Sequence, residues 1–191
     1  MKQFKKRQSG LVMVFALLVL LSLTVLGVSS VSSSLLQNKM ATSMERSSLA
    51  FDAAEAAIAG VVFESEDEVL LTSALTDPLS EARQGNEFDP EVEDLSCYND
   101  IRWTNRTMTS AGLTTGANHS GAGSYDNSPP VNSWSRTAFV REEACRGSSN
   151  VIGGSNISCH VFVVRGCGQV NGNSFVVANS LKAAVFAPAT Q

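Results

Sequence analysis

Histidine is scarce in this 191-residue sequence, which holds only His119 and His160, and none of its four cysteines forms a Cys-x-x-Cys pair. That spacing disfavours a zinc site, whose ligands come from clustered cysteine and histidine. The Gly-x-Ser-x-Gly turn of serine hydrolases is missing too, and Gly153-Gly154-Ser155 followed by Asn156 and Ile157 reads as a loop. With so little nucleophile, base or paired-acid material, neither catalysis nor a cofactor is expected. No proline precedes Pro78, so nothing up to that point is forced to interrupt a helix. The first ten residues lack acidic side chains while holding Lys2, Lys5, Lys6 and Arg7, four of the fourteen basic residues. All eighteen acidic residues therefore fall in the remainder, which is more acidic than the whole chain at −4. No basic stripe interleaved with aromatics occurs there, which disfavours direct nucleic-acid binding.

Charge is also absent from Ser9 to Asn38, and residues 11–26 are apolar apart from Ser22 and Thr24. About 20 apolar residues suffice for one helical pass through a bilayer, and residues 11–31 supply them. The basic flank places the N-terminus in the cytoplasm and all that follows the span on the other side of the membrane. An ordinary secretory signal has an apolar core of about 7 to 15 residues and a cleavage site after it. This run is longer and continues directly into an amphipathic stretch. A single helix over residues 11–62 is predicted, a rod of roughly 78 Å at about 1.5 Å per residue. In its second half Met40, Met44, Ser47, Phe51, Ala54, Ile58 and Val61 recur at spacings of three and four and define one face. Gly27 and the serines from Ser29 to Ser34 are weak helix formers, leaving open whether this junction bends, stays plainly helical or packs closely on another helix.

Beyond the helix, residues 63–132 lose periodicity and fill with turn formers such as Asp77-Pro78, Asp89-Pro90 and Ser128-Pro129-Pro130. Acidic groups at residues 64–68 and 89–94 offer oxygen ligands of the kind calcium takes, yet neither follows an EF-hand loop, and solvated acidic loops are the commoner case. Residues 135–145, 157–165 and 173–186 are rich in valine, phenylalanine and alanine and predict antiparallel strands, with a hairpin loop over 166–173. His160 falls in the second strand and is expected to be structural. The fold class is α+β, a long N-terminal helix packed on a C-terminal antiparallel sheet. Cys97, Cys145, Cys159 and Cys167 all lie in the exported part, where they are expected to form two disulfides. Cys145 meets Cys159 if their strands pair as a hairpin, leaving Cys97 for Cys167. Cys97–Cys145 with Cys159–Cys167 is equally a possible set, and three connectivities exist.

Lys5-Lys6-Arg7-Gln8-Ser9-Gly10 followed by Leu11-Val12-Met13-Val14-Phe15 resembles the prepilin leader of type IV pilins and type II secretion pseudopilins. The segment from Met40 to Ile58, above all Ala50-Phe51-x-Ala53-Ala54-Glu55-Ala56-Ala57, is similar to PilX-type minor pilins. The resemblance covers about residues 5–58 and implies a division into a leader (1–10), a transmembrane or filament-core helix (11–33), an amphipathic half-helix (34–62) and a periplasmic head (63–191), a pilin-like layout. It further implies cleavage by prepilin peptidase between Gly10 and Leu11, with Leu11 N-methylated. Most pilins carry a glutamate five residues past the cut, where this sequence has Phe15, which points to a place at the filament tip. The implied function is a minor pilin that primes or caps type IV pilus assembly, supporting twitching motility and adhesion. Its implied partners are other minor pilins, the major pilin, a tip adhesin and the inner membrane before assembly. The alternatives are a type II secretion pseudopilin and a solitary membrane-anchored periplasmic binding protein.

Overall fold

The computed structural model describes residues 9–65, 77–85, 87–98, 104–109, 112–115, 130–145 and 157–188. The chain forms two compact units, Met1–Glu45 and Arg46–Gln191. Helix α1 spans Ser9–Glu64 and contributes to both. The first unit, as far as it is described, is helix alone. Its hydroxyl side chains turn back onto the helix: Ser22 donates to the Val19 carbonyl at 2.8 Å, Thr24 to Leu21 at 2.8 Å, Ser29 to Val25 at 2.9 Å and Ser32 to Val28 at 2.9 Å. The junction from Gly27 to Ser34 is helical throughout. The leader up to residue 8 lies outside the described residues.

In the second unit α1 lies on a five-stranded antiparallel sheet, so the fold is α+β. The strands are β1 (Thr104–Thr109), β2 (Gly112–Thr115), β3 (Val131–Glu143), β4 (Ile157–Val170) and β5 (Val177–Pro188), in the order β2-β1-β3-β4-β5. A short helix, α2 (Pro78–Gln84), precedes them. Asp77 caps it by accepting from the Leu79 and Ser80 amides at 3.0 and 3.1 Å, and Pro78 opens its first turn. The region expected to be irregular with short elements contains α2, β1 and β2.

The helical face that meets the sheet shares Ala54, Ile58 and Val61 with the expected one and differs in the rest of the second unit. Ala50, Ala53 and Ala57 are buried beside those three, whereas Ser47 and Phe51 are exposed, Phe51 at 47 %. The reason is distance. A Cβ added to Gly168 would stand 1.9 Å from the Ala50 carbonyl oxygen, and one on Gly166 2.0 Å from that of Ala54. Helix backbone therefore rests on strand backbone, and Ser133 donates its hydroxyl to the Ala53 carbonyl at 2.6 Å. Only small side chains permit that approach, and a phenylalanine on this face would hold the helix off. The same contact corrects the predicted 166–173 loop. β4 continues to Val170, Gly166 and Gly168 sit under the helix, and the turn is made at Asn171-Gly172, with Gly172 at φ 84°.

The opposite face of the sheet is covered by residues 87–98. Phe88 and Leu95 pack with Ala138, Val140 and Val163, and the Phe88 amide bonds the Phe139 carbonyl at 2.7 Å, where the β3–β4 register shifts. Farther along, Cys97 is joined to Cys167 beside the buried Trp134, whose indole Nε1–H donates to the Cys97 carbonyl at 3.1 Å. The second disulfide, Cys145–Cys159, closes the β3–β4 connection.

Candidate functional site: the N-terminal helix and a buried histidine

From Gly10 to Val31 the first unit carries no charged side chain, its hydroxyls at Ser22, Thr24 and Ser29 bond helix carbonyls, and α1 is long and apolar enough to cross a membrane. Leu11, Val12, Val14, Phe15 and Leu18 form a shallow apolar groove on its surface. Gly10 and Leu11 lie in the helix, and among the described residues nothing beyond the local helix backbone and chain neighbours comes within 4 Å of the space a Gly10 side chain would occupy. Phe15 is exposed, as a residue facing lipid or another helix must be in an isolated chain.

The alanine-rich segment divides its residues between two faces. Ala50, Ala53, Ala54 and Ala57 turn to the sheet, Ala56 is half-buried, and Phe51 and Glu55 face outward. Glu55 accepts a hydrogen bond from the Asn179 amide of β5, which ties the outer flank of the helix to the edge strand. The motif's spacing thus serves close packing on one side and presents an aromatic and a carboxylate on the other.

A polar cluster that the sequence did not reveal lies where α2, β3, β4 and β5 meet. His160 on β4 is fully buried. Its Nε2 is 3.1 Å from Ser158 Oγ, 3.3 Å from the Pro188 carbonyl and 4.0 Å from Glu142 Oε1. Ser158 donates its hydroxyl to Glu142. Because that hydroxyl proton is committed and a carbonyl only accepts, Nε2 is the protonated ring nitrogen. Nδ1 is then the bare nitrogen, and it has no hydrogen-bond partner among the described residues. In a Ser-His-acid relay the carboxylate orients the histidine through the nitrogen remote from the serine. Here the carboxylate bonds the serine instead, and the order of the relay is not met. Burial pushes the His160 pKa below 6.5, with Arg83 adding to the shift, while Glu142 and the Pro188 carbonyl oppose it.

Elsewhere, Arg106 of β1 is buried and paired with Glu81 of α2, which anchors the short helix. Among the described residues no three histidine, cysteine or acidic side chains are grouped to hold a metal. Asp89 accepts from the Glu91 amide at 2.9 Å and Asp94 stands 3.5 Å from Arg165. Residues 66–68 of the other acidic group, His119, and the loop at 153–156 lie outside the described residues.

Residues 9–59 match the family model described as PilX N-terminal. No curated protein and no solved structure matches the chain.

Proposed function

We propose that this protein, whose residues 9–59 match the PilX N-terminal family model, is a minor subunit of a type IV pilus acting at or near the filament tip, where it primes or caps assembly. The supporting observation is Phe15. It takes the place, five residues past the proposed cut between Gly10 and Leu11, where most pilins carry a glutamate. In such pilins that carboxylate pairs with the amino terminus of the subunit already in the filament, since a charge in an apolar surrounding needs a partner. A subunit with phenylalanine there makes no such pair, and a terminal position is the place where none is needed.

In this reading prepilin peptidase removes residues 1–10 and Leu11 is N-methylated. The apolar half of α1 is stored in the inner membrane with the head in the periplasm, then drawn into the pilus among other helices. Lipid and helix neighbours are similarly apolar, so the exchange is nearly balanced and an assembly motor supplies the rest. The partners are other minor pilins, the major pilin and a tip adhesin. The protein's part in adhesion and twitching motility is mechanical, not enzymatic.

Two substitutions test this. Phe15→Glu is expected to move the subunit from the tip into the body of the filament, seen by immunogold labelling. Unchanged filament number and subunit position would remove the main support for the tip assignment. Leu18→Arg is expected to cost about 2.5–3.5 kcal/mol at the centre of the span. Membrane fractionation should then show loss of the anchored form, and normal incorporation into filaments would contradict the storage mechanism.

A further inference from the structure

The carbonyl of Pro188, the last residue of β5, is held by two side chains from other elements. His160 Nε2 lies 3.3 Å from it and Arg83 Nη2 of α2 donates to it at 3.4 Å. Among the described residues β5 is an edge strand, paired on one side only, and its exposed residues include Leu181, Lys182 and Phe186. Hydrogen bonds to β4 extend along its length, and Val185 and the buried Ala187 pack inward, so its far end is secured by that ladder and packing together with this carbonyl.

We propose that the Ser158–His160–Glu142 cluster is a proton-operated latch on the C-terminal end of β5. The free ring nitrogen decides where a second proton goes. With Nε2–H directed at Pro188 and Ser158, a second proton must go to Nδ1. That atom is buried and has no acceptor among the described residues, in a ring whose centroid lies 5.8 Å from that of Phe139. A charged imidazole there would carry an unsatisfied buried N–H and would feel the Arg83 guanidinium from α2. Among the described residues Glu142 from β3 is the opposing charge, at 4.0 Å and already engaged by Ser158. The ring relieves this by turning or withdrawing, and either movement takes Nε2–H away from Pro188. Acid thus releases the end of the edge strand while the disulfide-bound middle of the sheet stays closed. The filament reading is not required for this.

The direction in pH follows from linkage. A folded pKa below the unfolded 6.5 means that the unfolded chain binds more protons in that interval, so the cluster's stabilisation is complete above pH 6.5. It is lost as pH falls from 6.5 through the folded value. The test uses the full chain in detergent micelles, following the His160 ring by NMR and backbone amides by hydrogen exchange corrected for intrinsic rates. Over the range in which the His160 ring titrates, amides of residues 183–187 are expected to lose at least tenfold in protection, and those of residues 162–170 to keep theirs. His160→Gln, which retains an N–H donor and cannot titrate there, is expected to abolish the dependence. Constant protection at 183–187 while the ring titrates would overturn the proposal, as would an equal loss along all strands. If His160→Gln fails to fold, the ring titration and exchange of the unaltered chain still decide the matter.

Discussion

Gly168→Ala is expected to destabilise the head by about 3 kcal/mol, the upper part of the usual overpacking range. The added methyl would meet the Ala50 carbonyl oxygen at 1.9 Å and the Ala54 amide nitrogen at 2.8 Å, both fixed helix backbone. No side chain can rotate out of its way, so α1 must lift from β4. Lifting loosens Ala50 and Ala53 from Val131 and Val170, the cluster at that end of the helix. Gly166→Ala acts in the same way one step along, against the Ala54 carbonyl and the Ile58 side chain. Gly172→Ala is the control. It has the left-handed φ of 84° but open space around it, so only a backbone cost of about 1 kcal/mol is expected. Thermal unfolding followed by far-UV circular dichroism should separate them, with Gly168→Ala melting roughly 10 °C below the unaltered protein. A melting point within a degree of it would refute the backbone-on-backbone account.

The second large effect is expected from the disulfide between Cys97 and Cys167. It closes a loop of 70 residues, against 14 for Cys145–Cys159. On the chain-entropy model these correspond to about 4 and about 3 kcal/mol. Alanine is the replacement to use, because a serine hydroxyl at the fully buried Cys167 would add a desolvation penalty of its own. The Cys97→Ala, Cys167→Ala double variant should therefore lose more stability to urea than Cys145→Ala, Cys159→Ala. Its exposed indole should also redshift Trp fluorescence at lower denaturant, since Trp134 bonds the Cys97 carbonyl. The reverse ranking would show that loop length does not govern these bridges.

Parts of this architecture are legible in the sequence for physical reasons, and others are hidden for reasons equally specific. The helix shows itself because proline is absent and apolar residues recur at helical spacing. Its buried face shows itself only in part, at Ala54, Ile58 and Val61, because hydrophobicity ranks Phe51 above Ala50, Ala53 and Ala57, whereas the sheet selects for smallness. β3, β4 and β5 announce themselves through valine and phenylalanine. β1, with the sequence TNRTMT, has only threonine to recommend it and is a strand because β3 and β2 pair with it on either side. Gly166 and Gly168 look like turn residues in one dimension, since a glycine required by close approach is written the same way as one required by a bend. The His160 cluster is invisible beforehand because its partners come from three other elements. Cys145 and Cys159 are the reverse case, as a hairpin brings them together once its strands are recognised.

The inward-turned hydroxyls of Ser22, Thr24, Ser29 and Ser32 have one last implication. Each of these four groups carries its own acceptor with it, so at those positions the outermost layer is effectively greasy although the letters are polar. Relocating them between two oily environments breaks none of these bonds. What distinguishes one environment from the other is then contour alone, the fit of ridges into whatever lies alongside.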